Sequence, residues 1–116
     1  MERRRIIETT DYTYITHERS YEMNAPRNFI VHNKKTHTAI NVIAFHSGPI
    51  DEKGVNGVTN EDLLHIVKTR LEYFQSSEFA CEENELALFQ INKALEQLNK
   101  RTAKRKERGV EGTHAI

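Results

Sequence analysis

The sequence predicts an α+β protein, with a small N-terminal antiparallel sheet followed by an antiparallel helical hairpin whose second helix is long. Short runs rich in Ile, Val, Thr and Tyr populate residues 1–47, as strands require. A stretch punctuated by Gly48, Pro49, Gly54 and Gly57, His46–Val58, separates this half from the next. Beyond it, two segments repeat apolar residues at three- and four-residue steps, the period of one helix face. The 116-residue chain is read as one domain, 1–116, comprising a β portion (1–47), a helical hairpin (59–108) and a tail (109–116).

Taken in order, Arg5–Glu8 and Tyr12–Thr16 read as strands, with Tyr12 and Tyr14 on one side of the pleat. Ser20–Met23 reads as a further short strand, closed by Asn24-Ala25-Pro26. Asn28–His32 and Thr38–Phe45 are joined by the polar turn His32-Asn33-Lys34-Lys35, so the pair forms a hairpin. In the second of these strands Ile40, Val42 and Ala44 oppose Asn41, Ile43 and Phe45, which gives both faces apolar groups. His46–Val58 is expected to be a loop. Thr59 then caps a helix whose first turn carries Glu61 and Asp62 at its positive end, and whose stripe is Leu63, Leu64, Val67, Leu71 and Phe74.

After the break Gln75–Glu78 the chain folds back into the long helix, Glu82–Arg108, about 40 Å at 1.5 Å per residue. Asn84, Leu88, Ile91, Leu95, Leu98, Thr102 and Arg105 share one of its faces, polar at one end and cationic at the other. Arg101 lies one turn before Arg105, so the two guanidinium groups are expected to converge. Gly109 and Gly112 follow, where the helix ends and the backbone turns. So long a helix in so small a chain is expected to overhang its own fold and meet another copy.

Charge sharpens this reading. Lys+Arg and Asp+Glu both number 17, yet Lys100–Arg108 concentrates six basic residues against the single acid Glu107. A neutral total with one basic cluster points to a specific anionic ligand rather than a nucleic-acid polymer. The lone Cys81 excludes an intrachain disulfide framework and is expected to be a small core residue where the helix begins. No apolar run is long enough to span a membrane. The six histidines lack HxH, HxxxH or HExxH spacing, which argues against a metal site, and no nucleophile–base pair stands out. Gly54-Val55-Asn56-Gly57 lacks the ending of a phosphate loop and reads as a turn.

Three segments, GVNGVTNEDLL (Gly54–Leu64), RLEYFQSSEFACEEN (Arg70–Asn84) and KRTAKRKERGVEGTH (Lys100–His114), resemble the phage anti-Thoeris sponge family. That family shares a helical-hairpin domain with the phage anti-CBASS sponges. The resemblance covers about half the chain, Gly54–His114, and is most specific in RGVEGT (Arg108–Thr113). It implies a non-enzymatic protein without a cofactor that holds glycocyclic ADP-ribose uncleaved in the cytoplasm of an infected bacterium. Cyclic di- and trinucleotides are bound at separate sites by some members. It also implies a homo-oligomer, at least a dimer and in the family a hexamer. The ligand-binding positions that carry over are Phe74 and Asn84 at the hairpin bend and Arg101 and Arg105 on the long helix; Arg108 and Thr113, in the tail expected to cover the ligand, are added as further candidate ligand-binding residues.

These residue types suit such a ligand. An aromatic face stacks on adenine, for about 1–3 kcal/mol per base. Arginine forks onto phosphate, at about 1.5–3 kcal/mol for a charge-assisted hydrogen bond. Two rivals stand beside this reading: a hydrolase that degrades the signal, and a small nucleic-acid-binding module using the basic helix. The absent nucleophile–base pair counts against the first, and the absent aromatic interleaving in the basic stretch against the second.

Overall fold

A computed structural model describes residues 3–116, which form two compact units meeting in sequence at Val58 and Thr59. In the first unit, strands β1 (Arg5–Glu8), β2 (Thr13–His17), β3 (Asn28–Asn33) and β4 (Ala39–Ala44) make an antiparallel sheet in the order β1-β2-β3-β4. The register aligns Ile6, Thr16, Ile30 and Val42 across all four strands, and Ile7, Ile15, Val31 and Asn41 in the adjacent row. Successive rows face opposite sides, so apolar groups do occupy both faces.

Thr16 is the buried polar residue of the sheet, and its hydroxyl is well supplied. Arg4 Nε donates to it at 2.9 Å, and His32 Nε2 also lies 2.9 Å from it. The His32 ring is stacked on Tyr14 at 4.8 Å. Such pairing is what makes a buried hydroxyl tolerable.

Ser20–Met23 is not a strand; the segment is irregular, with bends from Glu22 onward. Both edges of β2 are already taken by β1 and β3, which leaves this segment no ladder there. The crossing closes instead on Glu18, whose carboxylate accepts the backbone N–H of Asn28 at 2.9 Å and its side-chain amide at 3.2 Å.

His46–Val58 is also more ordered than a loop. It contains a one-turn helix, α1 (Ile50–Lys53), started by Pro49 with φ −70° and carrying Asp51 and Glu52 in its first turn. Its end folds back so that Val58 pairs parallel with Phe45, through Val58 N–H to Ala44 carbonyl at 2.9 Å and His46 N–H to Val58 carbonyl at 2.8 Å. Gly57 permits this approach, because a Cβ there would lie 2.4 Å from the Phe45 carbonyl carbon.

The second unit is the helical hairpin, α2 (Asn60–Gln75) and α3 (Glu82–Glu107). Thr59 caps α2 as expected. Its hydroxyl accepts Asp62 N–H at 3.2 Å and the Asp62 carboxylate accepts Thr59 N–H at 2.9 Å, a reciprocal capping box. On α3 the predicted stripe is the one withdrawn from solvent: Asn84, Leu88, Ile91, Leu98, Thr102 and Arg105 are half-buried, and Leu95 is 5% exposed.

On α2 the expected stripe is partly wrong. Leu63, Leu64 and Leu71 turn inward, but Val67 and Phe74 are exposed, while Lys68 and Gln75 are half-buried. The inward row is therefore Leu64, Lys68, Leu71 and Gln75. Val67 and Phe74 sit one residue round the helix from it, facing out. Cys81 is likewise exposed rather than in the core, since it is the N-cap of α3 and its backbone, not its thiol, is held. No helix among the described residues is long and apolar enough to cross a membrane.

Candidate functional site

The sequence-selected residues fall into two groups at opposite ends of α3. The first surrounds the hairpin bend. Phe74 is 41% exposed, and the Arg70 guanidinium sits over its ring at 5.6 Å. One turn apart on α2, the pair pre-sets the ring and adds a cation beside it. Asn84, the third residue of α3, is half-buried.

Gln75 ties the bend together. Its side-chain oxygen accepts Cys81 N–H and its amide donates to the Cys81 carbonyl, both at 3.0 Å. This clamp joins the last residue of α2 to the residue before α3, and so sets how Phe74 and Asn84 are presented. Periodicity could not reveal it, because the partner lies six residues on in an irregular segment. Arg70 was detectable in principle, four residues before Phe74 on the same helix.

The second group lies at the far end of α3. There Gly109 has φ +72°, Gly109 N–H reaches Lys106 carbonyl at 3.0 Å and Val110 N–H reaches Arg105 carbonyl at 3.0 Å. This is a Schellman ending, which needs the left-handed residue that glycine provides cheaply. Gly112 is also left-handed, at φ +82°, and together the two glycines curl the tail back over the helix.

Arg105 occupies the middle of that curl, with its side chain 13% exposed. Its Nε donates to the Glu111 carboxylate at 3.2 Å, Nη1 to the Ala115 carbonyl at 2.7 Å, and Nη2 to the carbonyls of Val110 at 2.9 Å and Thr113 at 3.2 Å. Arg108 Nη1 donates to the Ile116 carbonyl at 2.9 Å, and Thr113 Oγ1 donates to the Val110 carbonyl at 2.6 Å. Arg108 and Thr113 therefore hold the tail in this structure.

The expected convergence of Arg101 and Arg105 is not seen here. Arg105 is turned onto the tail, whereas Arg101 is exposed and makes no hydrogen bond or ion pair among the described residues. Of the other basic residues in the cluster, Lys100 pairs at 3.9 Å with Glu96, a solvent-exposed contact of small energetic weight.

The two groups do not meet within one chain. Asn84 and Arg105 are 21 residues apart on one unbroken helix, about 31 Å along its axis. No cluster of three or more His, Cys, Asp or Glu side chains among the described residues is arranged to hold a metal ion.

Comparison with known proteins bears on both groups. A family model described as the Acb2/Tad1 hairpin domain matches residues 38–103, from β4 through most of α3. Thoeris anti-defense 1 of Bacillus phage SBSphiJ7 is 42% identical over 130 aligned residues, which cover 90% of this chain and 92% of that protein. The likeness thus extends beyond the Gly54–His114 segment in which motifs are recognisable by eye. Phe74, Asn84 and Arg101 lie inside the family match, and Arg105, Arg108 and Thr113 lie past its end.

Proposed function

The chain belongs to the Acb2/Tad1 hairpin family, and from that premise we propose that it is a phage anti-defence sponge that binds a cyclic nucleotide immune signal and holds it without cleaving it. Glycocyclic ADP-ribose is the ligand that best fits the residues, with cyclic di- or trinucleotides as further cargo. Its adenine would stack on the exposed ring of Phe74, its polar edge or ribose would meet Asn84, and its pyrophosphate would be taken by Arg101 and Arg105, with Arg108 and Thr113 closing the tail over it. A neutral chain with one local cationic surface suits this cargo better than it suits a nucleic-acid polymer.

The observation that carries this reading is the separation of the two groups along α3. A small nucleotide cannot touch the Phe74–Asn84 end and the Arg101–Arg105 end of one chain. Two antiparallel copies of α3 would bring one chain's bend to the other's basic end. Ile66, Val67, Tyr73, Leu86 and Phe89 are exposed on the hairpin, apolar surface of the kind that a partner copy covers. The working unit is therefore a dimer at least, and by family a hexamer, acting in the cytoplasm of the infected host.

A sponge must outcompete the effector, which requires nanomolar affinity, about −12 kcal/mol. Protein incubated with glycocyclic ADP-ribose, washed and then heated should release the ligand intact by mass spectrometry. A cleaved product would replace sequestration with hydrolysis, and no retained ligand at all would overturn the assignment.

A further inference from the structure

The guanidinium of Arg105 is fully engaged by groups of its own chain, and the identity of those groups matters. Three of the four are neutral carbonyls of the tail, those of Val110, Thr113 and Ala115. The fourth is the Glu111 carboxylate, the one anion in the set. Glu111 retains about a third of its side-chain exposure, so an incoming ligand can reach it.

We infer that Glu111 is a built-in competitor: its carboxylate stands where a ligand phosphate will sit on Arg105, and binding exchanges one anion for the other. This rests on the sponge reading above and adds to it a device for selectivity. A phosphate-bearing ligand replaces the carboxylate with an anion of at least equal charge, and the released Glu111 turns to solvent. A neutral nucleoside offers no such replacement. It must either leave Arg105 on Glu111 and forgo that contact, or strip a half-buried cation of its counter-ion. Arg101, exposed and unpaired among the described residues, carries no such restriction and can engage the anion first.

Glu111→Gln tests this, because it removes the competing charge and keeps the shape of the side chain. Titration calorimetry with glycocyclic ADP-ribose should show about twofold to fivefold tighter binding than the parent, the span expected for a partly exposed ion pair. Binding of adenosine, which has no phosphate, should not tighten. Glu107→Gln is the charge-matched control: Glu107 is exposed near the same helix end and contributes nothing to the Arg105 shell.

Weaker or unchanged binding by Glu111→Gln overturns the competitor role and makes the pair a strut for the tail. Equal tightening by Glu107→Gln overturns it too, by showing that only net charge matters. A second readout does not depend on any variant folding. The Arg105 Nε–H resonance of the parent should shift on adding glycocyclic ADP-ribose, and an unmoved resonance would mean no exchange. If the parent fails to bind at all, the sponge reading falls as well; if it binds and only these signatures are missing, the competitor alone is lost.

Discussion

Gln75 and Cys81 close the hairpin bend through two side-chain-to-backbone hydrogen bonds of 3.0 Å each, one in each direction. They are the last residue of α2 and the N-cap of α3, so the pair fixes the relation between the two helices at the end where Phe74 and Asn84 lie. Gln75→Ala should lower stability by about 1 kcal/mol, the scale of solvent-accessible hydrogen bonds. Binding of glycocyclic ADP-ribose should weaken more than that loss explains, since Phe74 and Asn84 lose their fixed spacing. Gln75→Glu keeps the acceptor for Cys81 N–H and loses the donor, so it should fall between. A Gln75→Ala protein that melts earlier but binds like the parent would restrict the clamp to folding.

The basic end should respond residue by residue. Arg101→Ala should reduce affinity about tenfold to a hundredfold, as expected for loss of a charge-assisted contact of about 1.5–3 kcal/mol. Lys106→Ala removes the same charge from an exposed side chain with no described partner and should change little. Arg105→Ala should cost affinity and also release the tail, which limited proteolysis after Arg108 would report. Equal effects from all three, fading steeply with salt, would indicate a generic basic patch.

Gly109→Val places a β-branched residue at φ +72°. Nothing lies within 4 Å of the added Cβ, so the cost is conformational rather than steric crowding, about 1–2 kcal/mol or more. The tail should come off Arg105 and ligand affinity should fall, while the far-ultraviolet helix signal stays. Gly109→Asn, which tolerates the left-handed region, should behave nearly like the parent. Indistinguishable binding by Gly109→Val would make the curl dispensable.

Glu18 gives the sheet an acid limit. Partial burial alone would raise its pKa, but the N–H groups of Asn28, Glu18 and Arg27 and the Asn28 side chain outweigh that and hold it below the ordinary glutamate value. A carboxyl lowered in the folded state stabilises fully above its unfolded value, about 4.3, and stops doing so as pH falls through its lower folded value. Glu18→Gln should therefore be less stable than the parent at pH 7, with the gap closing as pH falls below the unfolded value of about 4.3. A gap independent of pH would exclude the ionised carboxylate as its source.

Assembly is tested by mass. Static light scattering at micromolar concentration should give at least twice the 13.5 kDa chain mass, and six times that mass for the proposed hexamer. A monomer would leave the two groups on α3 about 31 Å apart and the site incomplete.

The elements were legible where local chemistry decides them. The period of Asn84–Arg105 marks the buried face of α3, Thr59 and Asp62 mark the start of α2, and Gly109 marks the end of α3, each a matter of neighbouring residues and backbone sterics. Motif likeness likewise pointed to a family that the match over residues 38–103 supports. What the string could not determine is who partners whom at a distance. Val67 and Phe74 have the composition of core residues, yet the packing of α2 against α3 turned Lys68 and Gln75 inward instead. Ser20–Met23 reads as a strand, yet it cannot pair beside β2, the strand it follows, because β2 already has β1 and β3 on its two sides. The fork of Arg105 could have pointed at solvent, ligand or chain. Only the folded tail, curled back by two left-handed glycines, supplies the carbonyls and carboxylate that take up its hydrogen bonds. Local sterics act through a few consecutive residues and are written in the sequence, whereas the occupancy of a long, flexible cation is set by whichever acceptors the tertiary fold brings within 3 Å of it.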